Sequence, residues 1–308
     1  MSNLLKKVKE KLNEKPKGLI VCIAGDNGMG KTPISCIGWR HPILVIQSED
    51  GIKHKSLVEK VGKTIFPTGV LSKSDDLIDY LMELKGDESN EFKTVVIDTI
   101  TGFSRHFEME CVNTSKEING IKDPVQLREK LKKLTIATSD DGYYRAATYV
   151  TKFNTDVANL INEIAKKGVT FILIFQSKKL ETETDDGQKY DVTSFNLISS
   201  AKEQQLASAA EYTSIADAVY YIAPELRVLS VGSKGNEYEK VTAKNSDGKY
   251  TRYLIGNGDP LYKNSKNRIN PEYSKLEYNV GENPLIPWVK EYFNSFKQNK
   301  EVNENGVN

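Results

Sequence analysis

Histidine and cysteine are scarce in this chain, with three of each among 308 residues. Cys22, Cys36 and Cys111 fall in an apolar run, a helix-like stretch and a mixed segment. None has CxxC spacing, which argues against a zinc site or a disulfide framework and suits reduced thiols. His41, His54 and His106 are scattered with no HExxH neighbourhood, so a metal centre built on histidine is not expected. Excess charge is lacking too: 43 basic and 42 acidic side chains leave a formal charge of +1, so no global field attracts a polyanion, although local basic clusters still can. No apolar run approaches the roughly 18 residues of a membrane span. The opening MSNLLKKVKEKLNEK is too polar for a secretory signal, and a cytoplasmic protein without a membrane partner is expected.

The apolar share of 38% against 28% charged residues is enough for a sizeable core under a solvated surface. That fits one large α/β domain with an extension, or two small domains. Leu4, Leu5, Val8 and Leu12 recur at helical spacing and predict an amphipathic helix over 1–14. Buried strands are expected in GLIVCIAG, in PILVIQ from Pro42, in TVVID ending at Asp98 and in the run from Val169 to Phe175. Helical patterns alternate with them, so the strands should pair in parallel. Residues 178–211 are polar and read as a long mobile excursion. ADAVYYIA and LRVLSVG are further strands, and EKVTAKNSDGKYTRYLIG reads as a hairpin turning at Asn245, Ser246, Asp247 and Gly248. The predicted plan is a core over 15–244, an extension over 245–297 closed by the helix PLIPWVKEYFNSF, and a disordered tail from 298 to 308.

The most specific local signal is GDNGMGKT at residues 25–32, which meets the G-x-x-x-x-G-K-T spacing in full between a predicted strand and a predicted helix. Gly25, Asp26, Asn27, Gly28, Met29 and Gly30 would wrap backbone N–H groups around a phosphate. Lys31 would meet the β and γ phosphates, and Thr32 would ligate Mg²⁺ through its hydroxyl, so ATP and Mg²⁺ are the expected cofactors. Pro33 follows directly and is tolerated in a first helical turn. Asp98, at the end of an apolar strand, suits a second carboxylate in the Mg²⁺ shell; an Asp opening a turn is the competing reading.

The position after Asp98 is Thr99, where AAA+ and ABC-type ATPases usually carry a catalytic glutamate. RecA-like ATPases place that acid at the end of the strand after the phosphate loop, and here IQSEDG offers Glu49, with Asp50 as competitor. No NKxD-like guanine element is visible. The matches GDNGMGKT, QSEDG, TVVIDTITG and FILIFQSKK span about residues 18–180 and resemble the RecA-like recombinase superfamily, in particular small phage-encoded RecA-like ATPases of single-strand annealing and recombination. The resemblance implies a RecA-like P-loop NTPase core, a parallel sheet flanked by helices with a small C-terminal extension. It implies that Gln176 senses the γ-phosphate and sets the order of a DNA-binding loop. It also implies a homo-oligomer, ring or filament, with nucleotide between subunits and Lys244 reaching the neighbour's site. Read from the residues alone, Gln176 is equally a strand-end cap and Lys244 a solvated lysine.

Single-stranded DNA is the expected partner. Lys178, Lys179, Lys189 and Lys202 would neutralise phosphates, while Tyr190 and Phe195 would stack on bases. Glu181, Glu183, Asp185, Asp186 and Asp191 in the same stretch oppose a polyanion. The other readings are a motor or loader, such as a helicase loader or DNA-packaging ATPase, and a nucleotide switch with little turnover.

Overall fold

The computed structural model describes residues 17–50, 64–136, 138–139, 145–183, 187–198, 202–224, 226–231, 237–242, 251–256, 258–268 and 270–305. The helix expected over 1–14 lies outside them, as do Lys244, Asp185 and Asp186. Seven strands open the fold: β1 (Ile20–Gly25), β2 (Ile43–Gln47), β3 (Ile65–Val70), β4 (Thr94–Asp98), β5 (Thr170–Glu183), β6 (Lys189–Phe195) and β7 (Ala218–Pro224). In the sheet the parallel neighbours run β7, β1, β5, β4, β2, β3. The buried stretches IVCIAG, ILVIQ, TVVID and TFILIF are continuous apolar runs because helices cover both faces of the sheet. β3 was not legible: IFPTGV interrupts its apolar residues with Pro67 and Gly69, which an edge strand tolerates.

The helices are α1 (Lys31–Cys36), α2 (Ser74–Gly86), α3 (Ile100–Asn113), α4 (Pro124–Lys133), α5 (Arg145–Lys166), α6 (Lys202–Ile215) and α7 (Ile286–Asn305). Alternation along β1 divides the core. Cys22 and Ala24 face one layer with Leu81 of α2, Phe103 of α3, Ile161 of α5 and Tyr212 of α6. Val21 and Ile23 face the other, with Ile34 of α1 and Trp288 of α7. This is the α/β architecture that the resemblance implies, a mostly parallel sheet flanked by helices.

Three expectations differ from what folds. The polar stretch after Gln176 is an antiparallel ribbon, β5 against β6 from Ser177 opposite Phe195 to Glu183 opposite Lys189, followed by α6. Its polarity reflects a half-solvated ribbon whose Leu180 and Val192 pair across the strands and are buried. The hairpin turn expected at Asn245, Ser246, Asp247 and Gly248 lies outside the described residues; of the segments flanking it, β9 (Glu237–Thr242) pairs with β8 (Leu226–Val231). β10 (Arg252–Ile255) instead lies antiparallel on the open edge of β7, where β11 (Lys266–Asn267) also pairs. β12 (Lys275–Tyr278) adds to β10, so the sheet continues past the boundary expected at 244. α7 runs to Asn305, beyond Gln298, where the sequence suggests a disordered tail.

Candidate functional site

Parallel register brings the carboxyl ends of the central strands to one rim, with Gly25 opposite Gln176 and Gln47 opposite Asp98. Ligands of open α/β sheets sit at such ends. Asn27, Gly28, Gly30, Lys31, Thr32, Pro33, Glu49, Asp98, Thr99 and Gln176 line one cleft of about 300 Å³ there. Asp50 is exposed and outside that lining, which separates it from Glu49.

Between β1 and α1 the chain turns through Gly28 (φ 76°) and Gly30 (φ 88°), a region in which a Cβ is disfavoured. Lys31 is buried, and its Nζ donates to the carbonyls of Gly25 and Asp26, both at 2.8 Å. Burial pushes its pKa down, while Asp98, Asp26 and Glu49 oppose that shift. Thr32 Oγ1 donates to Asp98 Oδ2 at 2.7 Å, so the two predicted metal-binding groups meet. Asp98 is buried, and burial lifts its carboxyl from the usual 3.8 to about 6; the Thr32 hydrogen bond and the Lys31 charge work against this, and Glu49 works with it.

This hydroxyl and carboxylate are hard oxygen donors and fit Mg²⁺, an ion that keeps several waters and takes substrate phosphates as its other ligands. Among the described residues no cluster of three or more His, Cys, Asp or Glu offers a self-sufficient cage.

Thr99 has a structural task, which accounts for the absence of an acid beside Asp98. Its Oγ1 accepts from Gly102 N at 2.8 Å and caps α3. Its backbone N–H and C=O both bond Ser48 Oγ, at 2.9 Å each, and Ser48 N donates to Asp98 O. These bonds fix Ser48, the neighbour of Glu49. Gln176 Nε2 donates to Glu49 Oε1 at 2.9 Å, and Gln176 N donates to Thr101 Oγ1 at 3.0 Å. The expected sensor and the expected base therefore touch. Two further residues escaped sequence reading: Ser177, whose hydroxyl bonds the Asp26 carboxylate, and Tyr278, whose hydroxyl donates to Gly30 O at 2.5 Å. Nothing local signals Tyr278, which is 248 residues from Gly30 along the chain.

The ribbon alters the roster of expected DNA contacts. Phe195 is corrected: it is fully buried and stacks on Phe175 with centroids 3.9 Å apart, so it has no face for a base. Lys178 Nζ bonds Ile198 O at 3.1 Å and is partly buried, and Lys189 pairs with Glu181 at 2.9 Å. Lys179 and Tyr190 are exposed on the ribbon, and Lys202 opens α6. Among the described residues no helix is long and apolar enough to cross a membrane.

A family model described as AAA domain matches residues 17–251. No curated protein matches the chain. Among solved structures, flagellar accessory protein FlaH from Methanocaldococcus jannaschii is 9% identical over 89% of this chain and 95% of its own, with a TM-score of 0.37. KaiC-like protein PH0186 from Pyrococcus horikoshii OT3 is 13% identical over 86% of this chain and 91% of its own, with a TM-score of 0.31.

Proposed function

We propose, from the premise that the chain belongs to the AAA domain family, that it is a Mg²⁺-dependent ATPase of RecA-like build whose nucleotide state governs contact with single-stranded DNA. One observation carries the reading: Lys31, Thr32, Asp98, Glu49 and Gln176, set by four separate parallel strands, line a single cleft.

Lys31 exchanges the carbonyls of Gly25 and Asp26 for phosphate oxygens, which favour its charged form more strongly. Thr32 and Asp98 hold the divalent cation, which supplies neutralising charge to the phosphates. Glu49 accepts a proton from a water. That water's oxygen bonds the γ-phosphorus as the bond to the β–γ bridging oxygen breaks, and ADP and phosphate are released. Gln176, already bonded to Glu49, turns its amide towards the γ-phosphate in the triphosphate state.

The link to DNA is supported by connectivity, since the residues after Gln176 lead straight into the β5–β6 ribbon. Lys179 and Tyr190 are its exposed contacts for a single strand, while Glu181 and Asp191 limit its affinity. The proposal includes a homo-oligomer with nucleotide between protomers, in which Lys244 adds positive charge in trans.

The test is the ATP hydrolysis rate of wild type and Lys31→Ala with no nucleic acid, single-stranded DNA, duplex DNA and RNA. Stimulation by single-stranded DNA in wild type alone is expected. Hydrolysis that no nucleic acid changes would refute the DNA coupling, and stimulation by duplex alone would favour a motor or loader.

A further inference from the structure

The cleft is one-sided. Asp98 ends β4, Glu49 follows β2 and Gln176 closes the parallel part of β5, and these three strands all lie on the same side of β1. A triphosphate bound with its metal and γ-phosphate there must extend its nucleoside towards the opposite side, over β7, β10 and β12. Beyond β7 that side is built by the C-terminal strands β10 and β12.

Two residues of that segment stand against the loop, and a third lies on the same face of the sheet. The Tyr278 hydroxyl holds Gly30 O, and a Cβ placed on Gly30 would lie 2.6 Å from that hydroxyl and 3.0 Å from Cγ2 of Val280. Both side chains thus abut the last glycine before Lys31. Val280 is 49% exposed, an aliphatic surface beside a phosphate loop, as the flat face of a base requires. Arg252 pairs across the strands with Tyr278, so both project from the same face of the sheet. The charge of Arg252 is felt at the Tyr278 hydroxyl. Its Nε is buried and has no hydrogen-bond partner among the described residues. A buried donor left unmade is costly, and an α-phosphate or ribose oxygen would satisfy it. The loop is short of a donor as well, because Pro33 lines the cleft and has no N–H.

We infer that Arg252, Tyr278 and Val280 form the nucleoside end of the site. Val280 packs on the base, Arg252 binds the α-phosphate or ribose, and Tyr278 positions the backbone of Gly30. The inference rests on the nucleotide reading of the phosphate loop and makes the C-terminal strand part of the site rather than an accessory.

Calorimetric titration with ATP and with inorganic tripolyphosphate, each with Mg²⁺, separates the two ends of the ligand. Val280→Ser and Arg252→Gln are expected to weaken ATP about tenfold while leaving tripolyphosphate within about twofold, with Arg252→Lys recovering part of the loss. Tyr278→Phe, which acts through the loop backbone, is expected to weaken both ligands. Val280→Ser and Arg252→Gln proteins that bind ATP as wild type does, or that lose ATP and tripolyphosphate equally, would overturn the inference. Wild-type protein that binds neither ligand would instead overturn the nucleotide reading on which it rests.

Discussion

Replacing Asp98 with asparagine should stabilise this protein in metal-free buffer while abolishing its hydrolysis. Asp98 lies in the buried end of β4, and burial lifts its carboxyl from 3.8 to about 6. A carboxyl whose folded pKa exceeds its unfolded value binds its proton more tightly when folded, so it opposes folding once the pH rises past the unfolded value, and does so in full above the folded one. The rise from 3.8 to about 6 corresponds to a penalty of about 3 kcal/mol above pH 7, falling to about half of that at pH 5. Asparagine keeps the shape and an acceptor for the Thr32 hydroxyl but carries no charge. Urea unfolding of wild type and Asp98→Asn in EDTA, from pH 5 to pH 8, should therefore show the variant ahead by about 3 kcal/mol at pH 8, with the gap narrowing as pH falls. A variant no more stable than wild type at pH 8, or a gap that does not depend on pH, would refute the argument from burial. Mg²⁺ should close the gap from the other side, because the cation stabilises only the carboxylate.

Four further outcomes follow from the structure. Glu49→Gln should keep ATP binding and an acceptor for the Gln176 amide but slow hydrolysis by about 10²–10⁴-fold in single-turnover assays; an unchanged rate would move the base elsewhere. Thr32→Val removes the hydroxyl that faces Asp98, so the Mg²⁺ concentration for half-maximal hydrolysis should rise, which a titration of rate against Mg²⁺ reads directly. On the ribbon, Phe195→Ala should cost about 3–5 kcal/mol of stability, because its ring stacks on Phe175. Tyr190→Ala, by contrast, should leave the melting temperature unchanged and weaken single-stranded DNA by about 1–3 kcal/mol in fluorescence anisotropy.

What could be read from the chain was whatever is both local and unambiguous. The apolar runs ending at Gly25, Gln47, Asp98 and Gln176 carry their own burial, and the spacing from Gly25 to Thr32 specifies a loop within eight residues. Glu49 and Gln176 were legible as strand-end residues, but their mutual hydrogen bond depends on register across β4, which no local pattern encodes. The ribbon is not legible from polarity, which loops share, because the alternation that buries Leu180 and Val192 is a property of a two-faced strand pair. The arms around Gly248 had the composition of a hairpin, yet pairing was decided by the free edge of β7, which β10 fills. Tyr278 was invisible for the same reason, since its partner is the backbone oxygen of a residue at the other end of the sequence.

The cleft lined by Lys31, Thr32, Asp98 and Glu49 is the proposed seat of ATP hydrolysis. Phosphate release from γ-labelled ATP, measured for wild type and Lys31→Ala with Mg²⁺ or with EDTA, tests this most directly. Release by wild type with Mg²⁺, abolished both by the substitution and by EDTA, is the predicted result. Equal release from Lys31→Ala, or no release from wild type that binds ATP, would contradict it.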